Sequence, residues 1–309
     1  MNETLTFVYC FDKNYYKQGF SSIISLLDTS SEKINIIIIY NLNPENIEIP
    51  LVIKRHKNLN MIEVFEFKDN NFNFPNLDNN HISAATYYRL FIDNYISNNT
   101  KTIFYIDADI IFLKNSISLF KKCSEKLNNS NFVIAARTEK YFSDDQNEVF
   151  SRLNINQKYF NAGVLIINLK LWRKQNIQEK LIQEMKKIEN HIIHWDQDVM
   201  NSFFNGDYQE LDNNLNFNSS DFNELNDNVK LLHYIGSNKP WYMSGLFSYG
   251  SEHYHENFNK FNKSKYHIVH LWKKTSVKEL LKSILNLNIF KLRYPIQFFK
   301  NFSVFPDFV

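Results

Sequence analysis

Lys101–Lys114 reads K-T-I-F-Y-I-D-A-D-I-I-F-L-K. Thr102–Ile106 and Ile110–Leu113 are short apolar runs rich in Ile and Phe, the composition of buried strands. Between them stand Asp107 and Asp109. A carboxylate among apolar neighbours is costly unless something compensates it, and two of them call for a shared partner. In extended chain, alternate residues point the same way. The pair is then placed to grip one hard divalent cation, and Mg²⁺ and Mn²⁺ take oxygen ligands. The plainer reading is an acidic turn closing a buried strand, and D-x-D alone does not separate the two.

On the N-terminal side, Leu5–Cys10 is a buried strand running into polar Phe11-Asp12-Lys13-Asn14. Tyr15–Leu27 carries Phe20, Ile23, Ile24 and Leu27 at helical spacing, and Ile34–Tyr40 is a β-branched run. A helix is expected over Glu45–His56 and a third strand over Met61–Phe67. This alternation predicts an α/β fold with a sheet of parallel character. Such sheets bind ligands beyond the carboxyl ends of their strands, which is where Asp12 and Asn14 fall. Both residue types also cap helix N-termini. Residues 68–81 are polar and loop-like, and Ser83–Tyr95 has helical spacing with Arg89 inside it. That arginine is either solvated or aimed at the site.

On the C-terminal side, a helix over Ile117–Leu127 and a strand over Phe132–Ala136 precede a polar, charged stretch, 138–157, expected to be a mobile excursion. Phe160–Lys170 reads F-N-A-G-V-L-I-I-N-L-K. Small Ala162 and Gly163 at the start of a strand suggest close approach by a ligand or another backbone. An amphipathic helix follows over Leu171–Glu189. Trp195-Asp196-Gln197-Asp198 then opens a helix through Phe204, where acidic residues complement the helix dipole or serve a site. The strand Val229–Tyr234 leads into L-H-Y-I-G-S-N-K-P-W, Leu232–Trp241. His233 can add a nitrogen ligand to the two carboxylates. Gly236 lets backbone approach phosphate closely, and Lys239 supplies a point charge.

The 309 residues, 44% hydrophobic and 16% aromatic, suffice for a real core, and 6 Gly and 6 Pro exclude a low-complexity chain. A net charge of +2 offers no field toward nucleic acid, but it is unevenly spread. Residues 258–309 hold ten Lys and Arg against Glu279 and Asp307, a net +8 that leaves −6 for residues 1–257. Trp272, Phe290, Tyr294, Phe298, Phe299 and Phe302 are interleaved with these charges. We therefore divide the chain into a catalytic domain, 1–257, and a basic, aromatic extension, 258–309, suited to an anionic membrane surface. The alternative is a helical cap with a solvated basic face. No nucleic-acid recognition motif accompanies the charge. Cys10 and Cys123 sit in no metal-like spacing and read as reduced thiols. With no basic leader and no apolar run of about 18 residues, the expectation is a cytoplasmic protein, peripheral at the inner face of a bacterial membrane.

Six motifs, F-D-K-N-Y (11–15), H-I-S-A-A-T-Y-Y-R-L (81–90), Y-I-D-A-D (105–109), F-N-A-G-V-L-I-I-N-L (160–169), W-D-Q-D (195–198) and H-Y-I-G-S-N-K-P-W (233–241), occur in one order. In that order they resemble the family-8 retaining glycosyltransferases of the GT-A fold, most closely the bacterial lipopolysaccharide galactosyl- and glucosyltransferases. The resemblance implies a mixed, mostly parallel sheet flanked by helices. It also implies transfer of a hexose from a UDP-sugar to a hydroxyl of a lipopolysaccharide, lipooligosaccharide or other lipid-linked glycan. By the same resemblance, Asp107, Asp109 and His233 would hold Mn²⁺, or Mg²⁺, bridging the diphosphate. Asp12 and Asn14 would meet the uracil or ribose, and Gly236 and Lys239 the phosphates. His81 and Arg89 would clamp the donor, with Ala108 between the acids. Asn161, Ala162, Asp196 and Gln197 would surround the transferred sugar, the last two nearest the chemistry. Relatives that transfer galactose often carry an aspartate near the position of Thr138, so glucose and galactose both stay open. Three other readings share these residues: a glycogenin-like self-glucosylating transferase, a metal-dependent nucleotide-sugar hydrolase, and a non-catalytic sugar- or membrane-binding protein.

Overall fold

The computed structural model describes residues 4–68, 72–77, 83–140, 143–224, 227–269 and 273–303. His81 and Trp272 lie outside the described residues. The N-terminal half begins with β1 (Thr6–Phe11), α1 (Tyr16–Thr29), β2 (Ile34–Tyr40), α2 (Leu51–Lys54) and β3 (Leu59–Glu66). A run of 3₁₀ turns, Ala84–Tyr95, leads to β4 (Thr102–Ile106), β5 (Ile110–Phe112), α3 (Ile117–Asn128) and β6 (Ile134–Thr138). Then come α4 (Ser143–Leu153), β7 (Phe160–Asn168), α5 (Leu169–Lys174), α6 (Ile177–Lys187) and α7 (Trp195–Phe204). The remainder is β8 (Gln209–Glu210), β9 (Phe217–Asn218), β10 (Leu231–His233), α8 (Ser251–Asn259), α9 (Lys274–Leu285) and α10 (Pro295–Ser303).

The main sheet has seven strands in the order β3-β2-β1-β4-β7-β6-β8. Pairing is parallel from β3 to β4 and between β6 and β8, and antiparallel on both sides of β7. Both faces are covered, which is why its strands read as continuous apolar runs. Phe7, Tyr9 and Phe11 face one core with α1 and α3, while Val8 and Cys10 face another with the Ala84–Tyr95 turns and α5 to α7. A second sheet, β5-β10-β9, is entered directly from β4. Asp107, Ala108 and Asp109 are the link between the two sheets.

That link is not extended, as the sequence led us to expect. It is a turn, with the Ile110 N–H donating to the Asp107 carbonyl at 3.3 Å. Backbone bonds fix it from both sides. The Asp107 N–H donates to the Gly163 carbonyl on β7 at 2.8 Å, and the Tyr234 N–H donates to the Asp109 carbonyl at 3.1 Å. Three further expectations change. Pro50 breaks the helix expected over Glu45–His56, leaving a 3₁₀ turn at Pro44–Asn46 and short α2. Asn176, at φ 52°, divides the expected Leu171–Glu189 helix into α5 and α6. Within 138–157, expected to be a mobile excursion, Ser143–Leu153 form α4, which buries Val149 and Leu153, and Arg152 pairs with buried Asp198 at 2.7 Å.

Residue 257 lies within α8. Beyond it, Tyr266, Leu280, Ile289 and Phe298 pack with Met243 and Leu246 in a separate small core. Among the described residues, no helix is long and apolar enough to cross a membrane.

Candidate active site

A cleft of about 970 Å³ opens where the two sheets meet. Asp107, Ala108 and Asp109 line it from the linking turn, and Asn161 and Ala162 from the start of β7. Asp196 and Gln197 line it from the first turn of α7, and His233, Gly236 and Lys239 from β10 and the loop beyond. Arg89 and Asp12 complete the set. The fold therefore brings together every residue given a ligand- or sugar-binding role by the resemblance except two. His81 lies outside the described residues. Asn14 does not line the cleft; its amide donates to Asp12 Oδ2 at 3.2 Å and its N–H to Asp12 Oδ1 at 2.9 Å. Asp12 thus holds the turn entering α1 and faces the cleft at once.

Arg89 is buried, 6% exposed, rather than solvated. Its guanidinium lies 2.8 Å from Asp107 Oδ1 and 2.7 Å from Asp196 Oδ2, and it also donates to the Ala162 carbonyl. It stands over the Tyr105 ring, 4.2 Å from the centroid, and the Tyr105 hydroxyl donates to Asp107 Oδ1 at 2.7 Å. Lys239 donates to Asp109 Oδ2 and to the Tyr234 carbonyl. Burial alone would raise the Asp109 carboxyl, but Lys239 and His233 outweigh it and hold the group well below the usual carboxylate range.

One ligand atom each from Asp107, Asp109 and His233 lies within 4.8 Å of the others. These residues fit a divalent cation on two further counts. Asp109 Oδ1 is buried with no hydrogen-bond partner, and His233 Nε2 stands 3.2 Å away without hydrogen-bond geometry. Gly236 has φ +81°, a conformation that favours glycine, and a Cβ there would project into open space. Its backbone is accordingly open to a ligand.

Asp196 is 2% exposed, and burial pushes its carboxyl up to about 7, with Asp107 adding to the rise and Arg89 opposing it. Its folded-state value stands above the unfolded one of about 4. Protonation of Asp196 therefore favours the fold fully below about pH 4, and that stabilisation is lost as pH rises through about 7. In metal-free protein, Asp196→Asn is expected to flatten the fall in Tm between about pH 4 and pH 7. An unchanged slope contradicts the assignment. Asp198, by contrast, is structural. It accepts the Ile193 and His194 N–H groups and the Tyr159 hydroxyl. Gln197 links both sides: its Oε1 accepts the Ala162 N–H at 3.0 Å and its Nε2 donates to the Tyr159 hydroxyl at 3.0 Å.

Several cleft residues were not anticipated. Thr138 turns away, to Tyr208 and Glu210, and it is Glu139 that lines the cleft, donated to by Asn161 Nδ2 at 2.7 Å. Its place beside Thr138 in the sequence was a usable signal. Asn216, fully buried, bonds both Asn161 and His233, and nothing in an Asn-rich stretch marks it. The close approach expected at Gly163 is made by a side chain, the His233 ring. Thr275, Ser276 and Glu279 on α9 also line the cleft.

Sheet order, linking turn and cleft together define an α/β protein of the GT-A type. The chain belongs to glycosyl transferase family 8, whose profile matches residues 6–244. The lipopolysaccharide 1,3-galactosyltransferase of Salmonella typhimurium is 32% identical over 173 residues, 53% of this chain and 51% of its own. General stress protein A of Bacillus subtilis is 26% identical over 279 residues, 82% of this chain and 93% of its own. A crystal structure of the galactosyltransferase LgtC, in complex with donor and acceptor sugar analogues, shares the fold with a TM-score of 0.72. The match covers 84% of this chain and 96% of that one at 22% identity.

Proposed function

We propose that this protein is a retaining, Mn²⁺-dependent transferase that moves glucose or galactose from a UDP-sugar to a hydroxyl of a lipopolysaccharide, lipooligosaccharide or other lipid-linked glycan. One observation carries the reading: Asp107, Asp109 and His233 converge within 4.8 Å beside Lys239 and an unpartnered Asp109 oxygen. Asp107, Asp109 and His233 would hold a divalent cation there, which would supply Lewis acidity toward the departing UDP. Lys239 adds fixed positive charge where the leaving group's negative charge grows. Gly236 brings backbone to the phosphates, and Asp12 meets the uracil or ribose. Arg89 holds Asp107 and Asp196 in register through one guanidinium. Asp196, Gln197, Asn161 and Glu139 surround the sugar and fix its orientation, so that the acceptor hydroxyl attacks from the face that UDP leaves. The test is product analysis with UDP-glucose and UDP-galactose, with and without truncated lipopolysaccharide. Growth of the glycan supports the reading. Free hexose released equally without acceptor would indicate a hydrolase, and a rise in the protein's own intact mass a self-glucosylating enzyme.

We also propose that residues 258–309 rest on an anionic membrane surface. Leu281, Ile284, Leu285, Leu287, Phe290, Ile296 and Phe299 are exposed, among exposed Lys278, Lys282, Lys291 and Lys300. At 3.6 residues per turn, Leu281, Ile284 and Leu285 fall on the side of α9 opposite Thr275, Ser276 and Glu279. One helix would then wall the cleft and face the lipid, bringing a membrane-held acceptor to the cleft. Flotation with vesicles containing phosphatidylglycerol is expected, and Leu281→Asp with Leu285→Asp should abolish it. Unchanged flotation of the double variant contradicts the assignment.

A further inference from the structure

A chain of buried hydrogen bonds runs from the sugar side of the cleft to His233. Arg137 donates to Glu139 Oε2 at 2.7 Å, and Asn161 Nδ2 donates to Glu139 Oε1 at 2.7 Å. Asn161 Oδ1 accepts the Gly163 N–H at 2.9 Å and Asn216 Nδ2 at 2.9 Å. Asn216 Oδ1 stands 2.9 Å from His233 Nδ1. Arg137, Asn161, Asn216 and His233 are each at most 4% exposed.

Each link leaves the next no choice. A backbone N–H can only donate and a carboxylate beside Arg137 accepts. Gly163 and Glu139 therefore fix, independently, which end of the Asn161 amide is oxygen. That oxygen needs a donor from Asn216, which turns the Asn216 oxygen toward His233. Nδ1 must then carry the imidazole proton, and the Nε2 lone pair faces Asp109 Oδ1 across 3.2 Å. In the neutral ring, two lone pairs so placed repel unless a metal cation lies between them; a second proton, on Nε2, would pair the ring with Asp109 instead.

We infer that Asn216 is the positioning residue of the cation site: it locks His233 in the Nδ1–H tautomer, keeping Nε2 free as a ligand atom. Without it, the proton can move to Nε2 and donate to Asp109, which closes the site. A hydrogen-bond partner of this kind typically sets metal affinity by about 10–100-fold. The inference rests on the metal reading proposed above, and its test separates the two.

In metal-free, ¹⁵N-labelled protein with a neutral His233 ring, long-range ¹H–¹⁵N correlation is expected to show a protonated Nδ1 and an unprotonated Nε2. A protonated Nε2 overturns the inference, and this result needs no variant to fold. Mn²⁺ titration followed by electron paramagnetic resonance is expected to show Asn216→Ala binding about 10–100-fold more weakly than wild type. Asn216→Asp keeps an acceptor for Nδ1–H but sets an oxygen against Asn161 Oδ1. It is expected to lower Tm while retaining most of the Mn²⁺ affinity. Equal affinity in Asn216→Ala and wild type, or equal losses in both variants, overturns the positioning role. A wild-type protein that binds no Mn²⁺ defeats the metal reading and leaves the tautomer result to stand alone.

Discussion

Asp109→Ala is expected to lower sugar transfer by about 10²–10³-fold or more, the scale of losing one preorganised partner of developing charge, and to leave the fold intact. Asp109 offers the proposed cation an oxygen with no competing hydrogen bond and also holds Lys239 in place. Its loss removes both the cation's grip and the register of the nearest fixed positive charge. The fold is less exposed to the change. Lys239 keeps the Tyr234 carbonyl and is 14% exposed at the cleft, so it is not left buried and unpaired. The Asp109 backbone bond to Tyr234 does not depend on the side chain. Initial rates of UDP release, with circular dichroism as the control for folding, decide the matter. A near-native rate in this variant contradicts the cation site.

The second large effect is expected from Gly163→Ala. A Cβ at residue 163 would stand 2.3 Å from His233 Cε1, 2.8 Å from Nδ1 and 3.0 Å from Asn161 Oδ1. The ring cannot yield freely, because Asn216 holds Nδ1 on one side and Asp109 stands at Nε2 on the other. Overpacking of this kind costs about 1–3 kcal/mol, and here the displaced group is a ligand. The variant should lose Mn²⁺ affinity by about 10-fold or more, the scale seen when a ligand's supporting contacts are disturbed. Gly236→Ala is the contrasting case. Its Cβ meets open space, and only the positive φ penalises it, by about 1–2 kcal/mol. It should weaken UDP binding while leaving the Mn²⁺ ligands in place. Electron paramagnetic resonance titration and Tm measured on both variants separate these outcomes. Native Mn²⁺ affinity in Gly163→Ala contradicts the packing argument.

The fold was legible wherever apolar pattern and element coincided. Ile34–Tyr40 has the bounds expected, and β1, β4 and β7 lie where their apolar runs do, because strands buried on both faces announce themselves by composition. The misses are places where one residue overrides the periodicity. Pro50 ends a helix, and Asn176 divides another. Asp107–Asp109 turn where an extended chain was expected, because Gly163 and Tyr234 draw the backbone from two sheets. The acidic turn is present, and within it Asp107 and Asp109 still converge with His233 to within 4.8 Å, as the proposed cation site requires. Long-range pairing explains what stayed hidden at the site. Arg89 is distinguishable from a solvated helical arginine only once Asp107 and Asp196 are seen on either side of it. Asn216 bonds two residues distant in sequence, Asn161 and His233, and Glu139, just past the end of β6, takes the cleft position expected near Thr138.

The most direct measurement is the thermal midpoint of the protein with UDP and Mn²⁺, set against UDP with Mg²⁺, UDP with EDTA, and other nucleotides with Mn²⁺. A ligand that binds only the folded state raises stability by about 2.7 kcal/mol at one hundred times its Kd. The account predicts a rise that needs UDP and the divalent cation together and is lost in Asp109→Ala. A midpoint unmoved by any nucleotide, or moved equally with EDTA present, would contradict it.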